Sequence, residues 1–303
     1  MVTRKIIQFG KSSFVLSLPK EWVERNGLIK GAPLQVDDAG TELRISYEST
    51  ESVLPVSKSL IDAKGKALHV IRAEVISAYL TNKAVLEIRG HRPKDAEPIK
   101  GVLRNLTGME IVEETRHCII AKDLLDIREV SIATLIRRID VTVRSMIDDV
   151  ANGKPTDLDS RDVDVNRLVF LAYRSMRKAL IDPRASRSIG GSSLLVLTGW
   201  NLILQMEKIG DCCKRVARMM PGLNQAKRER LRAVMQSLGE HFSDTMKSYY
   251  TQQMPLAMNA ELRDPELQQM LTDAGLTVEL LLQLRSAVSA VKHMSRSVIV
   301  SIQ

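Results

Sequence analysis

The N-terminal stretch of the chain alternates between short apolar runs and polar turns. An apolar run at residues 6–9 is separated by a polar turn from a second run at 14–18, in which apolar side chains alternate, and this pattern predicts a β-hairpin. Pro19 can begin a short helix that Asn26-Gly27 ends. Another strand, turn and strand follow at residues 34–45. The predicted order of elements is therefore β-β-α-β-β.

The next part of the chain, residues 52–125, is predicted to form a small two-layer α/β domain. The predicted elements are an edge strand at 53–56 within a linker, helices at 67–80 and 94–106, a strand at 84–88, and a hairpin formed by 109–112 and 118–121. His91 and His117 lie near predicted turns, and no other potential metal ligand or catalytic residue stands at a characteristic spacing from either. We therefore interpret them as solvated histidines. No catalytic constellation occurs in this domain.

From residue 126 to 303 the apolar spacing is helical throughout. The predicted helices span residues 127–152, 161–181, 193–219, 224–252, 258–273 and 276–301, with a kink or break at Asp264-Pro265. Short connections predict antiparallel packing in two three-helix units. Residues 188–206 carry no charge, but they contain several glycines and polar residues, so we interpret them as part of a buried bundle helix and expect no membrane insertion.

Composition fits a largely helical protein, because 44% of the 303 residues are hydrophobic and only 4% are aromatic. The net charge is +8, but residues 1–48 hold 7 basic against 6 acidic residues, so overall basicity does not predict nucleic-acid binding by this segment. Three cysteines without metal-binding spacing and the absence of an N-terminal signal pattern indicate a reducing, cytoplasmic location.

The sequence RKIIQFGKSSFVLSLPKEWVERNGLIKGAPLQV resembles the SpoVT/AbrB swapped-hairpin domains across residues 3–46. Domain 1–48 is too small to bury a large core alone, and the resemblance implies an intertwined homodimeric β-barrel that binds DNA. The basic and hydroxyl side chains available for DNA phosphates are Arg4, Lys5, Lys11, Ser12 and Lys20. From the residues alone, a merely solvated charged face is an equal alternative.

Two helical segments carry oxygen-bearing side chains four residues apart. Asp162 and Asn166 share one helix face, as do Glu207 and Asp211. Carboxylates at this spacing repel each other and call for a cationic partner. Basic residues in the next two turns can supply it as ion pairs, and a metal ion is the alternative; the candidate basic residues are Lys214, Arg215 and Arg218.

The segments RDVDVNRLVFLAYR and LQMEKIGDCCKRVARMM resemble the PhoU phosphate-uptake regulators over residues 127–300. That resemblance implies a pair of three-helix bundles and a divalent or iron metal ion held in the first bundle by Asp162, Glu207 and Asp211. Asn166, in the first bundle, stands where the family usually has a second carboxylate. Residues 291–295, in the last helix, replace another expected acidic pair, which puts a site in the second bundle in doubt. A weaker candidate there combines Glu240, His241 and Asp244 with His293.

Together these features predict a multidomain α+β protein with a dimeric swapped-hairpin barrel, an α/β connector and a helical body. The function that the two resemblances imply is a phosphate-responsive transcriptional regulator of phosphate uptake. The alternative is an adaptor that does not bind DNA and acts on a phosphate ABC transporter ATPase or a sensor kinase. The sequence lacks a Ser/His/acid set, a phosphate-binding glycine loop and a His/Cys metal spacing, so it does not indicate an enzyme. A metal-dependent hydrolase built on the bundle carboxylates is a third hypothesis.

Overall fold

A computed structural model describes residues 3–38, 40–47, 57–182, 185 and 193–302. The chain forms two compact units, residues 1–55 (unit 1) and 56–303 (unit 2). Unit 1 contains strands β1 (Ile7–Phe9) and β2 (Ser13–Val15), helix α1 (Lys20–Arg25), and strands β3 (Leu34–Asp38) and β4 (Leu43–Tyr47). The predicted order β-β-α-β-β is confirmed.

Within one chain, unit 1 consists of two separate antiparallel hairpins. Strand β1 pairs with β2, and β3 pairs with β4, in two different sheets. Helix α1 contacts β4 through Trp22, whose ring meets that of Tyr47 edge-on at 6.2 Å. None of the unit 1 side chains that the structure describes is buried. The large apolar side chains left exposed are Ile6, Ile7, Phe9, Phe14, Val15, Leu16, Ile29, Val36 and Leu43.

The first part of unit 2 is a four-stranded sheet covered by two helices. It contains β5 (Lys58–Asp62), α2 (Leu68–Leu80), β6 (Val85–Arg89), α3 (Ala96–Arg104), β7 (Met109–Thr115) and β8 (Cys118–Asp123). The strand order is β5-β6-β8-β7, with β5 parallel to β6 and the other pairs antiparallel. Helices α2 and α3 pack against each other and against the sheet.

For this part of the chain, the sequence analysis missed one strand and misjudged the exposure of one histidine, and one predicted strand lies outside the described residues. Strand β5 was not predicted, because Leu60 and Ile61 are its only large apolar residues and its pairing depends on a distant strand. The predicted edge strand at 53–56 lies outside the described residues. His91 was expected to be solvated but is only 2% exposed, whereas His117 is exposed as predicted.

A tight loop joins α3 to β7. Gly108 in this loop has φ +87°, and a Cβ added there would lie 2.6 Å from the Leu125 Cβ and 3.1 Å from an Asp123 carboxylate oxygen. The hydroxyl of Tyr79 donates a hydrogen bond of 2.9 Å to the carbonyl of Thr107. A left-handed backbone and the close packing of Leu125 therefore both require glycine at position 108.

The rest of unit 2 is helical. The helices are α4 (Ile132–Ala151), α5 (Leu158–Ile181), α6 (Ser193–Met219), α7 (Gln225–Thr251), α8 (Met254–Leu262), α9 (Asp264–Asp273) and α10 (Val278–Ile302). The break predicted at Asp264-Pro265 is confirmed, since it separates α8 from α9. Ser131 caps α4 by accepting a hydrogen bond from the Thr134 amide, and Asn224 caps α7 in the same way.

One continuous hydrophobic core runs through these helices. Helices α4, α5 and α6 contact one another, α7 and α8 contact each other and α10, and the pairs α4–α7 and α6–α10 join the two groups. Cys212 and Cys213 on α6 are buried in this core, and Cys118 on β8 is partly exposed. No helix in the described part of the chain is long and apolar enough to cross a membrane.

Arg174 on α5 joins the helices to the sheet part of unit 2. Its side chain is almost fully buried, forms an ion pair with Asp123 at the end of β8, and donates a hydrogen bond of 2.9 Å from Nε to the Asn82 side chain. Its guanidinium also lies 4.6 Å from the centre of the Tyr79 ring. Phe170, one turn earlier on α5, packs against the core of the sheet part.

Candidate functional site

The two helices that carry the predicted acidic residues are antiparallel neighbours. Arg218 on α6 pairs with Asp159 on α5, and Lys214, four residues earlier on α6, pairs with Asp162, three residues later on α5. Pairs that move in opposite directions along two helices establish the antiparallel register. This register places Asp162 beside Lys214, which is one helical turn from Asp211 and two turns from Glu207 on α6.

The ammonium group of Lys214 lies between two of the predicted ligands. Its Nζ is 2.5 Å from Asp162 Oδ2 and 3.0 Å from Asp211 Oδ1. Asn166 donates a hydrogen bond of 3.3 Å to Asp162 Oδ2, and Arg215 is 3.0 Å from Asp211 Oδ2. The predicted ion pair of Asp211 with Arg215 is confirmed, and Lys214 supplies the cationic partner that the paired carboxylates require.

Glu207 belongs to the same cluster electrostatically. Burial raises the pKa of its carboxyl group, and the negative charges of Asp211 and Asp162 raise it further. For Lys214, burial acts to lower the pKa, but hydrogen bonds to Asp162 and Asp211 outweigh it, so the net pKa is raised. We call Asp162, Glu207, Asp211 and Lys214 the acidic cluster. It combines three carboxyl groups with one partly buried ammonium.

A metal ion would need several of these oxygens to face one point. In the part of the chain that the structure describes, no group of three or more His, Cys, Asp or Glu side chains is arranged to hold a metal ion. Within the acidic cluster the ammonium of Lys214 lies between Asp162 and Asp211, where a bridging cation would have to bind. The side chains as placed therefore fit an ion-pair network rather than a metal centre, and the metal ion stays a prediction.

The weaker candidate in the second bundle is not a compact cluster. Arg263 approaches Glu240 at 3.5 Å and Asp244 at 3.2 Å, while His241 is fully buried with its Nε2 3.4 Å from the Ser295 hydroxyl. His293 is exposed. The acids and the histidine therefore have different neighbours, and they do not form a shared site.

A second ion pair between a lysine and a buried aspartate was not predicted from the sequence. Lys292 on α10 pairs with Asp264, which is 5% exposed at the start of α9. The sequence signal for this pair was Lys292, which stands where the PhoU resemblance implies an acidic residue. Both bundles thus place a lysine against a buried aspartate.

The predicted DNA-binding residues lie at two ends of the first hairpin. Lys11 and Ser12 form its turn, while Arg4 and Lys5 precede β1 and Lys20 begins α1 beyond β2. All five side chains are exposed. The three paired residues of β1 separate the two groups by about 10 Å along the hairpin. Within one chain the residues therefore form two small basic groups rather than one patch.

Comparison of the chain with protein-family models, curated proteins and solved structures finds no match. The two family resemblances therefore stand on the sequence motifs alone. The geometry of unit 1 and of the acidic cluster is the independent ground for any functional proposal.

We expect Glu207→Gln to stabilise unit 2 at neutral pH. Because the pKa of Glu207 is raised in the folded chain, the unfolded chain loses this proton first as pH rises past the ordinary value of 4.5, and wild-type stability falls until the raised pKa is passed. Glutamine removes that loss, by about 1.4 kcal/mol for each unit of the shift. Urea unfolding at pH 4 and pH 7 measures the difference.

The matched control is Glu279→Gln, which changes an exposed glutamate in the first turn of α10. Because a first-turn carboxylate is favoured by the positive end of the helix, this control should leave unit 2 equally stable or slightly less stable at pH 7. An equal effect of the two substitutions on stability at pH 7 would show that burial and the acidic cluster do not raise the pKa of Glu207.

Proposed function

We propose that this protein is a dimeric DNA-binding regulator that responds to phosphate and controls phosphate uptake. The observation that carries the proposal is unit 1. It combines the β-β-α-β-β order with two hairpins, each a two-stranded sheet in the described residues, and with a sequence that resembles the SpoVT/AbrB domains.

Dimerisation is supported by the apolar surface of unit 1. Phe9 pairs with Ser13 at the turn end of the first hairpin, and Phe14 pairs with Gln8 in its middle. The two side chains are 72% and 66% exposed, and none of the described side chains of the unit is buried. Patches of this kind mark interaction surfaces in small domains. A second copy that interleaves its hairpins with these would bury them and supply the core that one chain lacks.

DNA binding is supported by placement rather than by net charge. The hairpin turn presents Lys11 and Ser12 to solvent, and its open end presents Arg4, Lys5 and Lys20. A twofold axis would repeat both groups and so produce a spaced set of phosphate contacts. The nearly balanced charge of residues 1–48 means that these positions have to provide the affinity.

The helical part of unit 2 is the proposed regulatory body. Its support is the PhoU-like sequence and the ion-pair network in which Lys214 joins Asp162 of α5 to Asp211 of α6. The alternative function, an adaptor that docks on a transporter ATPase or a sensor kinase, uses the same helices and assigns unit 1 to dimerisation alone.

The test of DNA binding is the salt dependence of affinity for upstream regions of phosphate-transport genes. Lys11→Ala should make the slope of log affinity against log salt less negative by about 1.8, because a dimer loses two phosphate contacts of about 0.9 each. Arg4→Ala should act in the same direction. Fluorescence anisotropy with labelled duplexes measures the slope.

Lys122→Ala serves as the control, since it removes an exposed lysine of unit 2. Absence of binding at low salt, or equal slopes for all variants, would contradict the DNA-binding proposal. Deleting residues 1–48 then identifies the adaptor: loss of dimerisation in light scattering, without loss of any nucleic-acid affinity, is the result that the adaptor requires.

A further inference from the structure

A cavity of about 480 Å³ lies between α4, α5 and the loop that joins α3 to β7. Its floor is apolar, with Leu168 and Leu171 of α5 among the lining residues. Its polar lining consists of Arg137, Arg138, Thr142, Asp164, Arg167 and Thr107. Three guanidinium groups and one carboxylate therefore share one concave surface, with a net charge of +2.

In the described part of the chain, no carboxylate forms an ion pair with any of the three cavity arginines, Arg137, Arg138 and Arg167. The Nε of Arg167 is buried without a hydrogen-bond partner among the described residues. Arg137 instead lies over the ring of Tyr250, 5.1 Å from its centre. By contrast, Arg144, on the same helix as Arg137 and Arg138, forms an ion pair with Asp140 at 2.8 Å.

The walls of the cavity are held in place by ordered contacts. Arg137 and Arg138 lie in the second turn of the long helix α4, whose opposite side contributes to the continuous core. The loop carrying Thr107 is fixed by the hydrogen bond from Tyr79 and by the close contact of Gly108 with Leu125. These contacts fix the backbone positions from which the donors project, and the exposed side chains of Arg137 and Arg138 are free to turn toward a ligand.

We propose that this cavity binds a phosphate group, either as inorganic phosphate or as a small phosphate monoester. Guanidinium groups donate paired hydrogen bonds to phosphate oxygens, and they hold their charge at every physiological pH. Thr107 adds a hydroxyl donor, whereas the Thr142 hydroxyl donates to the Arg138 carbonyl at 3.0 Å and can only accept from a ligand in that position. The carboxylate of Asp164 can accept a hydrogen bond from a protonated phosphate oxygen or a ligand hydroxyl. Phosphate binding in this cavity does not require DNA. The role of this binding in regulation rests on the proposed function.

The cavity touches both parts of unit 2, since Thr107 belongs to the sheet part and the arginines belong to the helices. A bound phosphate group would therefore bridge the α3–β7 loop to α4 and α5. A site between two structural parts can couple ligand occupancy to their packing, because only the assembled arrangement presents all the donors.

Isothermal titration calorimetry of the full-length protein without DNA, at low and constant chloride concentration, tests the site. Inorganic phosphate and glycerol phosphate are titrated separately to distinguish the free anion from a monoester. We expect Arg138→Gln and Arg167→Gln each to weaken binding about tenfold or more. Arg128→Gln, which removes an exposed arginine paired with Asp126, is the control and should not change affinity.

The substitution Asp164→Asn is expected to increase phosphate affinity, which misfolding of the variant could not do. Removing the only carboxylate among the described lining residues should strengthen binding of the same ligand roughly twofold to fivefold. The proposal is overturned if neither ligand binds, or if the two arginine variants bind as tightly as the wild type. Phosphate binding without any DNA affinity would leave this site standing and remove the proposed function, so the two failures are distinguishable.

Discussion

Replacing Arg174 with methionine is expected to lower the free energy of unfolding of unit 2 by about 3–5 kcal/mol. Arg174 is 2% exposed and faces the carboxylate of Asp123, whose side chain is 10% exposed. Methionine fills much of the space but leaves that carboxylate without its charge partner in a site poorly reached by water. Urea unfolding followed by far-ultraviolet circular dichroism measures the loss, because all the long helices belong to unit 2.

Two further variants separate charge burial from lost packing. Adding Asp123→Asn to Arg174→Met removes the stranded charge while keeping an acceptor for the Leu125 amide, so part of the stability should return. Arg128→Met breaks an exposed pair with Asp126 and should cost no more than about 1 kcal/mol. If the double variant is no more stable than the single one, the ion pair is not what Arg174 contributes.

Gly108→Ala is expected to destabilise unit 2 by about 2–4 kcal/mol, for two reasons that act together. At φ +87° an L side chain is strained, and the new methyl group would lie 2.6 Å from the Cβ of Leu125, an atom that moves only with the backbone. The same urea unfolding experiment measures this effect. We also expect weaker phosphate binding, because the loop that presents Thr107 has to shift.

The matched control for this loop is Gly101→Ala in α3. No atom lies within 4 Å of an added Cβ there, and the backbone is helical, so alanine should stabilise the protein by about 0.5–1 kcal/mol. Opposite signs at positions 101 and 108 are the expected result. A small effect at position 108 would mean that the α3–β7 loop adapts easily and does not anchor the cavity.

The sequence predicted most of the secondary structure wherever one periodicity persisted. Helix α6 was predicted at 193–219 and spans Ser193–Met219, and α5 was predicted at 161–181 and spans Leu158–Ile181. Strand β5 was missed because its pairing with β6 is a long-range event that leaves little local pattern. His91 was misjudged for a related reason, since burial depends on the packing around the turn.

The candidate site was predicted in part. Residues four apart on one helix identified Glu207 with Asp211, and the pairing of Asp211 with Arg215 followed from the same spacing. The contact between Asp162 and Lys214 crosses from α5 to α6, so it depends on their relative register, which no local spacing encodes. The same holds for Arg174 and for the three arginines of the cavity, whose neighbours come from distant parts of the chain.

The placement of the cysteines determines how thiol reagents will act on the folded protein. Burial raises the pKa of Cys212 to about 12 and that of Cys213 well above its ordinary value, so both thiols stay protonated within the core of the helices. Cys118 is partly exposed at the start of β8. A maleimide dye or spin probe would therefore attach to the sheet part of unit 2 alone, which gives the native sequence a single addressable position for spectroscopy.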